Sequence, residues 1–166
     1  MNEQSFVQTV KIEPVRKQLK VSLSVPQAFE LFTSGIGKWW PLLTHSVGEE
    51  QAETCFFEGW VGGRIVEVLK DGSQSEWGKV ILWEPFHKVS FSWYPGRAAD
   101  TAQEVTVTFS EGPAGALVEL VHTGWESLGA LARSRRDGYE TGWDYVLEKY
   151  VMEAASKQAK KYPVDK

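Results

Sequence analysis

The chain has 166 residues, of which 42% are apolar and 24% charged, and a formal net charge of −4. This is a globular mixture rather than a disordered one, and the length suits one domain whose core needs no covalent or metal staple. A weakly acidic surface argues against nucleic acid as a partner, and no basic patch suited to a membrane surface is present.

A lone cysteine, Cys55, excludes an internal disulfide and a cysteine metal site. The opening MNEQSFVQTVKIEP lacks the basic region and apolar stretch of a secretory leader. No apolar run approaches the ~20 residues of a spanning helix. The expectation is a soluble, cytoplasmic protein without membrane insertion. Aromatic residues are abundant, with 8 Trp, 8 Phe and 5 Tyr. They make either a large aromatic core or the lining of a cavity for an apolar ligand.

In chain order, Leu19, Val21, Leu23 and Val25 alternate with polar residues and predict a half-buried strand. Pro26 opens a short helix, PQAFELFTS, which Gly35 and Gly37 break before a Trp39-Trp40-Pro41 turn. Gly62-Gly63 and Asp71-Gly72 predict turns between strands, and Pro85 and Pro95-Gly96 close two more. Val89, Phe91 and Trp93 alternate with serines; Val105, Val107 and Phe109 alternate with Glu104, Thr106 and Thr108. Val118, Leu120 and His122 share the apolar face of a last strand. From a start between Leu131 and Asp137, the three- and four-residue spacing of Tyr139, Trp143, Val146, Leu147, Tyr150 and Val151 predicts a long helix ending by Pro163. Asp137 and Glu140 are spaced as a capping box for it. Six or seven antiparallel strands with one apolar face, and one long helix to cover it, imply an α+β architecture: a curved sheet around the C-terminal helix.

The motifs PQAFELFTSGIGKWWP, GGRIVEVLKDG, WGKVILWEPFHKVSFSWYPG, VTVTFSEGPAGALVELVHTGW and GYETGWDYVLEKY cover about Val21 to Val151. Together they resemble the START-like (SRPBCC) superfamily with its helix-grip fold, and within it the family named for homology to the activator of the Hsp chaperone ATPase. The GKWWPLLTHSVG stretch looks like a bacterial branch whose members mostly lack an assigned activity. The resemblance implies a single START-like domain over 1–166, with its core at about 14–158. It further implies a cavity between sheet and C-terminal helix. Ile65, Glu67, Phe91, Trp93, Val107, Phe109, Leu120 and His122 would face that cavity from the strands, and Trp143, Leu147 and Tyr150 from the helix. Glu67 stands where most relatives carry an apolar residue.

Of the three histidines, His122 sits on an inward strand face, as a core hydrogen-bonder or a ligand contact. His45 lies in the loop after Trp-Trp-Pro, and His87 in a turn. No pair has metal-ligand spacing, so neither a metal nor a cofactor is expected. Glu67 and His122 are the acid–base candidates, provided the strand register brings them together; the alternative is that Glu67 points to solvent. Cys55, between strand residues and beside Phe56 and Phe57, reads as an inert packer. Arg133, Arg135 and Arg136 form a small basic cluster. Of Trp39 and Trp40, one is expected to pack inward and the other to border an opening, with Trp125 similarly placed.

The leading expectation is a binder, rather than a transformer, of a small apolar or amphipathic molecule. An enzyme of lyase, cyclase or hydrolase type using Glu67 and His122 is the alternative. A chaperone-ATPase activator is third, because the separate chaperone-binding domain of such proteins is not in this sequence. Homodimerisation through exposed Tyr94 and Phe86 remains open at this level.

Overall fold

The computed structural model describes residues 11–161, with side chains as far as Lys157. Most of the opening stretch considered for a leader, and Pro163, lie outside the described residues. Seven strands form one antiparallel sheet in the order β1-β7-β6-β5-β4-β3-β2. They are β1 (Val15–Val21), β2 (Ala52–Phe57), β3 (Arg64–Leu69), β4 (Gln74–Glu84), β5 (Lys88–Trp93), β6 (Gln103–Gly112) and β7 (Gly115–Thr123). A short helix, α1 (Val25–Phe32), follows β1, and a long one, α2 (Ala132–Lys161), follows β7 through a 3-10 segment at Trp125–Leu131. This is the helix-grip α+β arrangement expected from the alternation of the strands and the single long helical period.

The alternating residues form the inner face in register. His122 opposes Val105 and Val15, Leu120 opposes Val107 and Lys17, and Val118 opposes Phe109 and Leu19. Val107 in turn opposes Val89, and Val105 opposes Phe91. The inward stripe of α2, with Trp143, Val146, Leu147, Tyr150 and Ala154, is buried against this face. Each such side chain removed from water contributes about 1.5–3 kcal/mol before the entropy of ordering it.

The chain departs from its expected elements in two places. The first strand ends at Val21, not Val25. Ser24 instead caps α1: its hydroxyl accepts from Gln27 N at 3.2 Å while Gln27 Oε1 accepts from Ser24 N at 3.0 Å, which fixes Val25 as the first helical residue. Asp137 is no N-cap, because α2 begins five residues earlier, at Ala132. Glu140 is drawn into a different contact, pairing with Lys17 of β1 and with Arg136 at 2.9 Å. Arg136 also donates to the carbonyls of Glu13 and Pro14, so α2 is strapped across the β1 edge by cations on both elements.

A bulge in β4 positions the site. Ile65 pairs with Gly78 and Val66 with Glu76, which leaves Trp77 as the extra residue. Bulges bend a strand and re-aim side chains. Here the consequence is an indole on the inner face, 1% exposed, directly beside Glu67.

Candidate functional site: an indole-walled cavity

The interior between sheet and α2 is filled at one end and hollow at the other. At the α1 end Phe29, Phe32, Phe109, Trp39 and Tyr150 meet edge to face, with centroids 5.1–5.9 Å apart. The Tyr150 hydroxyl donates to Ala28 O at 2.8 Å. At the other end lies a cavity of about 520 Å³, open on one side. That volume is within the usual range for a small-molecule site. Its wall comprises Trp40, Trp77, Trp93 and Trp143, the loop residues His45, Ser46 and Val47, Pro95-Gly96, and one face of α2 from Ser134 to Val146.

Every one of the four wall indoles spends its N–H inside the protein. Trp40 donates to His45 O at 2.6 Å, Trp77 to Glu67 Oε1 at 2.9 Å, Trp93 to Tyr139 Oη at 3.1 Å and Trp143 to His122 Nδ1 at 3.0 Å. The rings also pack on one another: Trp40 lies 5.1 Å from Trp77, 5.7 Å from Trp93 and 5.9 Å from Trp143. An indole has no other polar atom to offer. These four rings therefore present only carbon faces and edges to the cavity, in orientations locked by four hydrogen bonds.

Glu67 and His122 acquire their roles from this arrangement. Both are fully buried. The Glu67 carboxylate accepts from Val47 N at 2.8 Å and Gly48 N at 2.7 Å as well as from Trp77, so it pins the wall loop and an indole together. Gly48 leaves room for this contact: a Cβ would stand 2.9 Å from Glu67 Oε2 and 2.2 Å from Leu69 Cδ2, so those side chains would have to shift. His122 accepts from Trp143, a group that can only donate, so its ring proton sits on Nε2. Burial, aided by the nearby Arg97 charge, lowers its pKa to about 3 and keeps the ring neutral at physiological pH. Nε2 has no partner among the described residues.

The two groups are four strands apart in the sheet, on β3 and β7, and neither bonds the other. The Glu67–His122 acid–base pair is not formed, because indoles stand between them. Nor does Glu67 reach solvent, the other outcome the sequence left open. Its neighbour across the strand pair, Cys55, is raised to about 12 by burial and then by the Glu67 charge, so it remains a thiol.

The hollow owes its existence to α2. Gly138 and Gly142, four residues apart, line the cavity, and a Cβ on either would meet nothing within 4 Å. Interior helical glycine costs about 1 kcal/mol relative to alanine, and no close backbone approach explains these two. What they do provide is room. Polar groups at the mouth are Ser134, Arg135, and His45, which stacks on Tyr145 at 4.9 Å. Burial lowers the His45 pKa. Arg135 is exposed and makes no ion pair among the described residues.

Of the residues expected to face a cavity, Trp40, Trp93 and Trp143 form its wall. Trp39, Ile65, Phe91, Val107, Phe109, Leu120 and Leu147 lie in the packed core, with Glu67 and His122 behind the indoles. Of the tandem tryptophans, Trp40 borders the opening, and Trp39 packs inward, donating to Leu31 O at 2.8 Å. Trp125 is fully buried against His122 and is not part of the cavity wall. Tyr94 is only 4% exposed, with its hydroxyl on Glu76, so it is not a surface aromatic, whereas Phe86 is 38% exposed. His87 lies exposed in its turn. Sequence reasoning missed Trp77, whose alternation the bulge hides, and Tyr139 as a wall residue. The four-residue glycine spacing in GYETGWDY was the available signal for the hollow face of α2.

Sheet, helix and cavity together define a helix-grip protein with an aromatic-walled pocket. No protein-family model matches the sequence, and no curated protein matches it. Solved structures do. An anthrahydroquino-gamma-pyrone synthase, Txn09, solved in complex with SUM, is 33% identical over 74% of this chain and 83% of its own, with a TM-score of 0.54. At that identity and coverage this chain belongs to the same family as the synthase. Proteins from Mesorhizobium loti and Rhodobacter sphaeroides share the fold, each at 18% identity over 87% of this chain, covering 98% and 93% of theirs, with TM-scores of 0.61 and 0.62.

Proposed function

We propose that this is a START-like, SRPBCC-type protein of one domain that binds a small, flat, hydrophobic or amphipathic molecule between α2 and the tryptophan wall. The observation that carries the reading is the cavity of about 520 Å³ walled by four indoles whose N–H groups are already satisfied. Such rings offer dispersion and stacking and have no hydrogen bond of their own left to give, which suits an aromatic guest. A family member described as a synthase of a fused aromatic pyrone supports the same ligand class. No helix among the described residues is long and apolar enough to cross a membrane; a cytoplasmic location completes the proposal.

The test is a titration with 2-ethylnaphthalene followed by quenching of tryptophan emission. Saturable one-to-one binding is expected, and it should be abolished in Gly142→Leu, whose side chain grows into the hollow. Absence of saturable binding, or binding unaffected by that substitution, overturns the reading.

A second reading, catalysis on the bound aromatic, is favoured by the synthase relationship alone. Glu67 and His122 are committed to the wall loop and to Trp143, so any chemistry would fall to groups facing the hollow, namely Tyr139, His45 and Arg135.

A further inference from the structure

We propose that the Tyr139 hydroxyl is the hydrogen-bond donor by which this cavity reads a carbonyl oxygen on an aromatic ligand. The proposal rests on the binding role given above and specifies what the pocket selects.

The argument is a count of protons. Trp93 Nε1 lies 3.1 Å from Tyr139 Oη, and an indole nitrogen only donates. The phenolic oxygen must therefore accept from Trp93 and cannot give its own hydrogen back along that line. Among the described residues no acceptor receives that hydrogen, and Tyr139 lines the cavity. Of the other polar groups of the wall, the indole N–H groups, Ser46 Oγ and His45 Nδ1 are occupied, while His45 Nε2 lies at the mouth. The four indoles are bound as described above; Ser46 Oγ donates to Leu42 O and accepts from Glu49 N; and His45 Nδ1 bonds Thr44 Oγ1. Ser134 and Arg135 stand exposed on the first turn of α2. Tyr139 is thus a donor set among the indoles, away from the polar groups of the mouth, with its orientation set by Trp93.

A donor in such a place favours a ligand acceptor over a ligand hydroxyl, which would leave the phenolic proton unpaired. It favours a neutral carbonyl over a carboxylate, because an anion would lose hydration in an apolar pocket with no cation in its depth. An aryl ketone, quinone or pyranone oxygen has the required chemistry. Discrimination follows from the asymmetry of buried hydrogen bonds, in which an unmatched polar group is more costly than a matched one is favourable.

The experiment compares 2-acetylnaphthalene with its near-isostere 2-ethylnaphthalene, by quenching of tryptophan emission, in the intact protein and in Tyr139→Phe. The expected result is a loss of roughly three- to tenfold in affinity for the ketone, with the alkyl probe unchanged. Equal weakening of both probes, or of neither, overturns the donor role while leaving the pocket standing. Failure of the alkyl probe to bind the unaltered protein overturns the pocket and the donor together. An infrared spectrum of carbonyl-labelled 2-acetylnaphthalene bound to the unaltered protein avoids dependence on the variant. Its carbonyl stretch should fall below the position seen in an alkane solvent, and a stretch at the alkane position overturns the proposal.

Discussion

A buried N–H deprived of its acceptor costs about 1–3 kcal/mol, more than the bond itself contributes when made. Glu67 satisfies three such groups at once, Val47 N, Gly48 N and Trp77 Nε1. An amide in its place brings one oxygen and an NH₂ that must face a donor. Glu67→Gln is therefore expected to destabilise the fold by about 1–3 kcal/mol in denaturant unfolding. It should also speed hydrogen exchange at Val47 and Gly48, while a purely catalytic carboxylate would leave both measurements unmoved. His122 makes a pH-dependent contribution. The unfolded chain takes up a proton near pH 6.5, but the folded ring, held down by burial and by Arg97, does so only near 3. The stability it contributes is complete above about pH 6.5 and is lost as pH falls towards 3, at up to roughly 1.4 kcal/mol per pH unit. His122→Asn keeps an acceptor for Trp143 and removes the titration. Unfolding free energies measured between pH 6 and 4 should lose this slope in the variant; an unchanged slope would assign it elsewhere.

On the scale of an element, α2 serves two purposes that its sequence keeps on separate stretches and faces. Its C-terminal half buries Leu147, Tyr150 and Ala154 and closes the core. Its N-terminal half carries Gly138 and Gly142, with Tyr139 and Trp143 beside them, and holds the sheet at a distance it does not fill. Lys17 ties this N-terminal half to β1 through Glu140 and, at 2.8 Å, Asp144. Burial alone would lower the Lys17 pKa, but its hydrogen bonds to these carboxylates hold it above the ordinary value. Gly142→Ala and Gly138→Ala are each expected to raise unfolding stability by up to about 1 kcal/mol, since the new methyl meets open space and the helix gains propensity. The same variants should weaken 2-ethylnaphthalene binding. Stabilisation with unaltered binding would show that the glycines do not set the pocket.

For the molecule as a whole, strand alternation, turn residues and the change of period after the last strand were enough to specify a sheet of six or seven antiparallel strands and one long helix; the structure has seven. These signals are local: a side chain's face follows from its neighbours two or four residues away. The aromatic surplus left a solid ring core and a ring-lined cavity both open; Trp93 and Trp143 were placed at a cavity only by the family resemblance, and which of Trp39 and Trp40 borders it was not legible. Trp77 was not legible either, because an extra residue in β4 breaks the alternation. Nor was the separation of Glu67 from His122, which depends on how many strands lie between them. The hollow itself is set by three segments far apart in sequence: the His45–Gly48 loop drawn down by Glu67, the indoles of β4 and β5, and the glycine face of α2. Local chemistry determined which residues form each element and which face each one buries. Tertiary structure alone decided which buried polar atom meets which indole and where the rings stop short of filling the interior, because those outcomes rest on contacts between segments that share no local pattern.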